Sequence, residues 1–267
     1  MSQLDRRKLA PSTLALWISV GLIVLFIVAP LVVVVLSSLT NRGYLSFPPQ
    51  GLTLKWYPAI LDNPKFIDSF ITSLQLAVAA VAVSVTAGVL AAYAIARNAG
   101  RPAQVLEQVF LSPLMLPAVV FGVGLLFVLS AGGWQGTFIG GLLAHSVIAS
   151  PFVVRSTLGG LRAMDERLEE ASRSLGAGPA RTFFTITLPT IAGSVVSGAI
   201  FAFVISFDEA VVTLFLVGTD FETLPVTIFT YIQYSNDPTV AAISSVLVVF
   251  CVALVGLVMR LTGDRHE

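Results

Sequence analysis

Apolar and polar positions along the chain are sorted into long blocks rather than alternating at short range. Residues 9–41 carry no charge and contain the run Leu14 to Leu36. At 1.5 Å per residue such a run crosses the roughly 30 Å of hydrocarbon in a bilayer. Ser69 to Ala96 is again uncharged, with Asp68 or Ser69 placed to cap its first turn. Between Glu107 and Arg155 lie 47 residues without an ionised side chain. As one helix they would reach about 70 Å, so the segment has to fold back. The glycine cluster at 131–136 is the place for that reversal, and Pro113 and Pro117 predict kinks in the span before it. A fifth apolar run follows Pro189, and a sixth starts behind Asn236-Asp237-Pro238, a cap followed by proline.

The pattern predicts an all-α membrane protein. Residues 1–13 form a cytoplasmic N-terminus and 14–38 the first transmembrane helix. A domain over 69–260 has helices near 69–96, 108–130, 137–155, 190–217 and 239–260, six spans in all. The first run follows Arg6, Arg7 and Lys8 but is too long for a signal peptide and lacks a cleavage site, so it reads as an uncleaved helix.

Composition agrees: 56% of the 267 residues are hydrophobic and 11% charged, with a mean hydropathy of +0.90. A soluble domain carries about a quarter charged residues, so a water-soluble globule is excluded. Fifteen basic and fifteen acidic residues cancel, leaving no field for nucleic acid. Their placement is informative where their sum is not. Arg6, Arg7, Lys8, Arg97, Arg101, Arg155, Arg162, Arg167, Arg173, Arg181, Arg260 and Arg265 fall on one side of an alternating six-span chain, and only Arg42, Lys55 and Lys65 on the other. Basic residues are retained on the cytoplasmic side, which predicts both termini inside. The lone Cys251 lies in an apolar run and reads as packing. His145 has no second ligand at metal spacing and reads as a hydrogen-bonded interior residue.

The longest inside loop, 156–189, has its own periodicity. Leu161, Met164, Leu168, Ala171 and Leu175 recur at steps of three and four among charged residues, predicting an amphipathic surface helix in which Glu169 and Arg173 pair. Gly176 and Gly178 end it and Pro179 starts another, giving helix, tight turn, helix. The mixture of acids and arginines fits a protein partner better than a lipid surface.

Glu170-Ala171-Ser172, three residues, Gly176, nine residues, Ile186, one residue and Leu188-Pro189 resembles the coupling signature of binding-protein-dependent ABC importer permeases, with Ser172 in place of a second alanine. The resemblance implies the six-helix type I importer permease fold and a short helix that docks in a groove of a separate ATPase subunit. Glu170 would contact the ATPase, Gly176 would set the turn, and Leu168 and Leu175 would fill the groove. The chain has no phosphate-binding Gly-x-x-x-x-Gly-Lys-Ser/Thr loop, so the ATPase must be another chain, which would use ATP and magnesium; the resemblance implies no catalytic, metal or cofactor site on this one. The implied partners are a second homologous permease, two ATPase subunits, an extracytoplasmic solute-binding protein and membrane lipid, in a bacterial cytoplasmic membrane.

Asp208 and Glu209 stand inside the fifth apolar run, where an ionised acid is costly and marks function or a specific partner. Ser206-Phe-Asp-Glu, Thr213-Leu-Phe, Thr223-Leu-Pro and Asp237-Pro resemble the spermidine/putrescine branch of the family, from about Ser69 to the C-terminus. That resemblance implies a cationic cargo, with Asp208 and Glu209 on the pathway unless they satisfy helix ends or the partner permease. Phe201, Phe203 and Phe207 either stack on an organic cation or pack within the bundle. The alternatives are a permease for an amino-acid derivative, an anion or a sugar, and a secondary transporter needing no ATPase.

Overall fold

The computed structural model describes residues 11–219 and 221–263 and is helical throughout, with no strand among them. In chain order the α-helices are α1 (Pro11–Ser37), α2 (Trp56–Leu61), α3 (Pro64–Arg97), α4 (Arg101–Leu111), α5 (Ala118–Ala131), α6 (Phe138–Ala163), α7 (Arg167–Ser174), α8 (Pro179–Thr182), α9 (Leu188–Thr190), α10 (Ala192–Asp208), α11 (Val211–Leu214), α12 (Leu224–Tyr234) and α13 (Thr239–Gly263). Their described residues form two compact units, one within 11–62 with 234–252 and one within 63–233 with 253–263.

In the first unit α1 is apolar on all sides and exposed over most of its length. The loop after it is ordered by Trp56, whose Nε1 donates to the Thr40 carbonyl at 2.7 Å, and by Tyr57, whose hydroxyl meets Ser38 Oγ at 2.8 Å. α13 starts as its sequence predicts: Asp237 Oδ1 accepts the Thr239 N–H at 2.7 Å.

The second unit is built on α3, α6 and α10. Small residues let these helices approach. A Cβ on Gly88 of α3 would stand 2.9 Å from the Val153 side chain of α6, and one on Gly198 of α10 would stand 3.0 Å from the Val153 Cα. Around this contact Val89, Ala149, Val153, Phe183 and Ala202 form one buried cluster; Ala92, Ile95, Val154, Leu158, Leu161 and Ile191 belong to another.

Several sequence expectations are corrected. The second span starts earlier than 69: Asn63 Oδ1 caps it by accepting from Lys65 N at 3.1 Å, and Pro64 occupies the first turn. The third span is not a helix over 108–130. α4 ends in a 3-10 turn, Ser112–Met115, and α5 leaves at 111° to it. The cause is the extended Leu116 (φ −92°, ψ 136°), since a residue before proline is driven out of the helical region. The fourth span does not stop at 155 but continues to Ala163, taking in the start of the loop set at 156–189. The fifth is not continuous over 190–217. The Pro179–Thr190 segment meets α10 at 73°, and α10 ends at Asp208. The reversal at 131–136 forms between α5 and α6 with Gly133 and Gly136 at positive φ.

Candidate functional site

The loop after α6 is organised by a break that the periodicity conceals. Met164 is extended (ψ 139°), so Leu161 and Met164 belong to the end of α6 and the predicted single helix from Leu161 does not form. Asp165 Oδ1 accepts the Arg167 N–H at 3.0 Å and starts α7 in a new register. The consequence is a helix that buries an acid. Leu168 and Leu175 of the apolar stripe are 47% and 89% exposed, whereas Glu169 is 3% exposed.

Glu169 is held from several sides. Arg97, the last residue of α3, donates Nε to Oε2 and Nη2 to Oε1, both at 3.0 Å, the forked geometry that makes arginine–carboxylate pairs strong. Thr187 Oγ1 donates to Oε1 at 2.7 Å, and Arg173 reaches Oε2 at 3.4 Å. The remaining Arg97 nitrogen, Nη1, donates to Glu166 at 2.9 Å. Burial is the largest single influence on the Glu169 carboxyl and would raise its pKa. The hydrogen bonds from Arg97 and Thr187, with the charges of Arg97 and Arg173, together outweigh it and hold the pKa below the ordinary carboxylate value. Through this one side chain α7 is tied to α3 and to the turn of π-helix Phe183–Thr187, which leads into α9 and α10.

The end of α7 is a full Schellman closure: Ala177 N donates to Ser172 O at 3.1 Å and Gly176 N to Arg173 O at 2.9 Å. Gly176 has φ +88°, so this turn requires glycine for its backbone and not for space, nothing lying within 4 Å of a Cβ there. Ser172 Oγ meets Thr182 Oγ1 at 3.1 Å, fastening α7 to α8. The signature thus divides. Glu170, Ala171 and Gly176 are exposed with Leu168 and Leu175, and the Glu170 carboxylate makes no hydrogen bond or ion pair to the described residues. Ile186 and Leu188 are half-buried, Leu188 against the Val89–Val153–Ala202 cluster, and Pro189 is exposed.

The two acids of the fifth span part company at the end of α10. Glu209 is extended, and its Oε1 accepts the Val212 N–H at 2.9 Å, spending the carboxylate on the first turn of α11. Asp208 ends α10 exposed, its carboxylate without a hydrogen bond or ion pair to the described residues. His145 of α6 spans the break: Nδ1 lies 2.9 Å from Ser206 Oγ and Nε2 2.9 Å from Thr213 Oγ1. The Thr213 hydroxyl proton goes to the Glu209 carbonyl at 2.8 Å. Nε2 therefore carries the imidazole proton and Nδ1 accepts from Ser206. His145 is fully buried and satisfied, and no group of three metal-ligating side chains occurs among the described residues. Phe201 and Phe207 are not brought to one surface. Phe201 is 59% exposed, while Phe207 is buried, edge-on to Phe70 at 6.0 Å and stacked on Phe203 at 5.7 Å.

Sequence reasoning missed Arg97 and the burial of Glu169. Arg97 counted only as a basic residue near a helix end, and Glu169 only as a surface partner of Arg173.

Residues 84–265 match the family described as the binding-protein-dependent transport system inner membrane component. The chain belongs to this family. The permease is 30% identical over 243 residues to the spermidine/putrescine transport system permease protein PotC of Haemophilus influenzae, covering 91% of this chain and 94% of that one. It is 29% identical to the putrescine transport system permease protein PotI of Escherichia coli K12, covering 91% and 88%. In fold it is similar to a solved bacterial ABC transporter chain involved in import of the acidic polysaccharide alginate, with a TM-score of 0.71, 14% identity and full coverage of both chains. The permease is thus a multi-pass inner-membrane subunit of an ABC importer and not an enzyme, ATP being hydrolysed by a separate subunit.

Proposed function

We propose that this permease forms half of the translocation pathway of an ATP-driven importer of polyamines. The chain would cross the membrane six times with both termini inside, each bent pair of helices counting as one span. Its exposed face on α7, with Glu170, Leu168 and Leu175, would dock on the ATPase subunit, and the second permease, a second ATPase and an extracytoplasmic binding protein would complete the assembly. The distribution of twelve basic residues against three supports this orientation. Two relatives named for spermidine or putrescine transport support the cargo.

The observation that carries the cargo reading is Asp208. It is a carboxylate without a partner among the described residues, at a helix break inside an apolar segment, where a charge needs a counter-charge. A di- or polyammonium ion supplies one. Asp208→Asn should raise the KM for spermidine or putrescine uptake about tenfold, the cost of losing one hydrogen bond between charged groups, with the complex still assembled. Labelled uptake in proteoliposomes checks this, and unchanged uptake with unchanged selectivity removes Asp208 from the pathway. A thermal-shift panel on the solute-binding protein tests the cargo independently, because only a true ligand raises its Tm strongly.

A further inference from the structure

Where α4 bends towards α5, a cavity of about 310 Å³ opens against α6. Its lining is apolar at Leu111, Leu114, Met115 and Leu158 and charged at Glu107, Arg155 and Arg162. Arg155 and Arg162 are seven residues apart on α6 and so share a face. Glu107 Oε1 accepts from Arg162 Nη2 at 3.3 Å and balances that guanidinium. Arg155 is exposed and has no carboxylate within ion-pair distance among the described residues. An arginine beside an apolar wall at the cytoplasmic face is open to an anionic head group.

The cavity presents two unmet demands side by side: one uncompensated positive charge, and an apolar wall on which Leu114 and Met115 remain exposed, Met115 by 83%. A free phosphate answers the first demand only. We propose that the cavity holds an anionic phospholipid of the cytoplasmic leaflet, its phosphate taken by the Arg155 fork and its acyl chain laid along Leu111, Leu114 and Met115. Basic pockets between transmembrane helices on the cytoplasmic side have the right chemistry for such head groups. The lipid would sit in the angle between α4 and α6, at the bend that replaces the third straight span. The inference rests on the proposed orientation, which puts the end of α6 at the inner face.

The test uses the purified full importer complex in phosphatidylcholine nanodiscs titrated with phosphatidylglycerol, with bound lipid counted by native mass spectrometry. Wild type should retain phosphatidylglycerol in preference to phosphatidylcholine. Arg155→Gln should lower the retained phosphatidylglycerol about fivefold, the effect of one basic residue at an anionic surface, and Arg155→Lys should recover most of it. Met115→Glu, at a position 83% exposed, should also expel the anionic lipid. Wild-type phosphatidylglycerol retention in both Arg155→Gln and Met115→Glu would overturn the proposal. So would loss of the second permease from either variant, since the cavity would then belong to a subunit interface. A wild-type complex that binds the lipid but shows no ATP-driven uptake would count against the proposed function and not against this site.

Discussion

Glu169→Ala is expected to abolish ATP-driven uptake while leaving the permease inserted and its helix bundle folded. The substitution removes the acceptor of both Arg97 bonds and of the Thr187 hydroxyl and leaves a mostly buried guanidinium with Glu166 alone. Removing one partner of a buried ion pair costs about 3–5 kcal/mol, which shifts a docked-to-detached ratio by more than about a hundredfold. An eight-residue helix has too little intrinsic stability to hold its place without such an anchor. Basal ATP hydrolysis by the partner subunit should persist, now uncoupled from transport. Glu169→Gln keeps the shape and part of the hydrogen bonding and should fall between the two. The same pair sets a pH expectation. A carboxylate whose folded pKa is depressed contributes fully above its unfolded value and loses that contribution as pH falls through the folded one. The Glu169 anchor therefore survives neutral and mildly acidic conditions and fails only below the ordinary carboxylate range. Uptake measured beside ATP hydrolysis decides the matter, and coupled transport at wild-type rates in Glu169→Ala would refute the role of the anchor.

Gly176→Asp is expected to abolish substrate-stimulated ATP hydrolysis, again without loss of membrane insertion. Two effects combine. The first is backbone: at φ +88° a residue with a Cβ pays about 1–2 kcal/mol, and the Schellman closure that turns α7 towards α8 weakens. The second is charge, because a carboxylate at the C-terminal end of a helix opposes the helix dipole by about 0.3–1 kcal/mol. Gly176→Asn separates them, as it shares the aspartate's backbone preference and carries no charge, and should fall between wild type and Gly176→Asp. Gly176→Val, a β-branched residue at the same φ, should be as damaging as the aspartate through the backbone alone. Since nothing lies within 4 Å of the position, a harmless Gly176→Val would show that the turn angle does not govern coupling.

The parts of the fold that depend on length and local chemistry were legible in the sequence. Uncharged runs marked α1, α3 and α13, Asp237 announced the start of α13, and the glycines at 131–136 announced the turn before α6. Direction was not legible. Pro113 and Pro117 read as kinks, and hydropathy is the same whether a chain bends slightly or by the observed 111°. Asp208 and Glu209 read as neighbours on one helix, because nothing local said that α10 would stop between them and that Glu209 would be used on the next turn. The coupling loop was recognisable from its spacing, yet the burial of Glu169 within it was not. A single extended residue, Met164, resets the helical phase, and the residue that fills the buried position, Glu169, is chosen by a partner 72 positions earlier in the chain. No window of periodicity reaches that far.

The central claim is that this permease moves solute only when a separate ATPase drives it through α7. It is tested most directly by counting labelled spermidine accumulated in proteoliposomes that contain the complete complex and its binding protein, with ATP inside the ATPase-facing compartment or with an ion gradient alone. The account predicts accumulation with ATP, none with the gradient, and none with ATP in the Glu169→Ala complex. Accumulation driven by the gradient without nucleotide would contradict it.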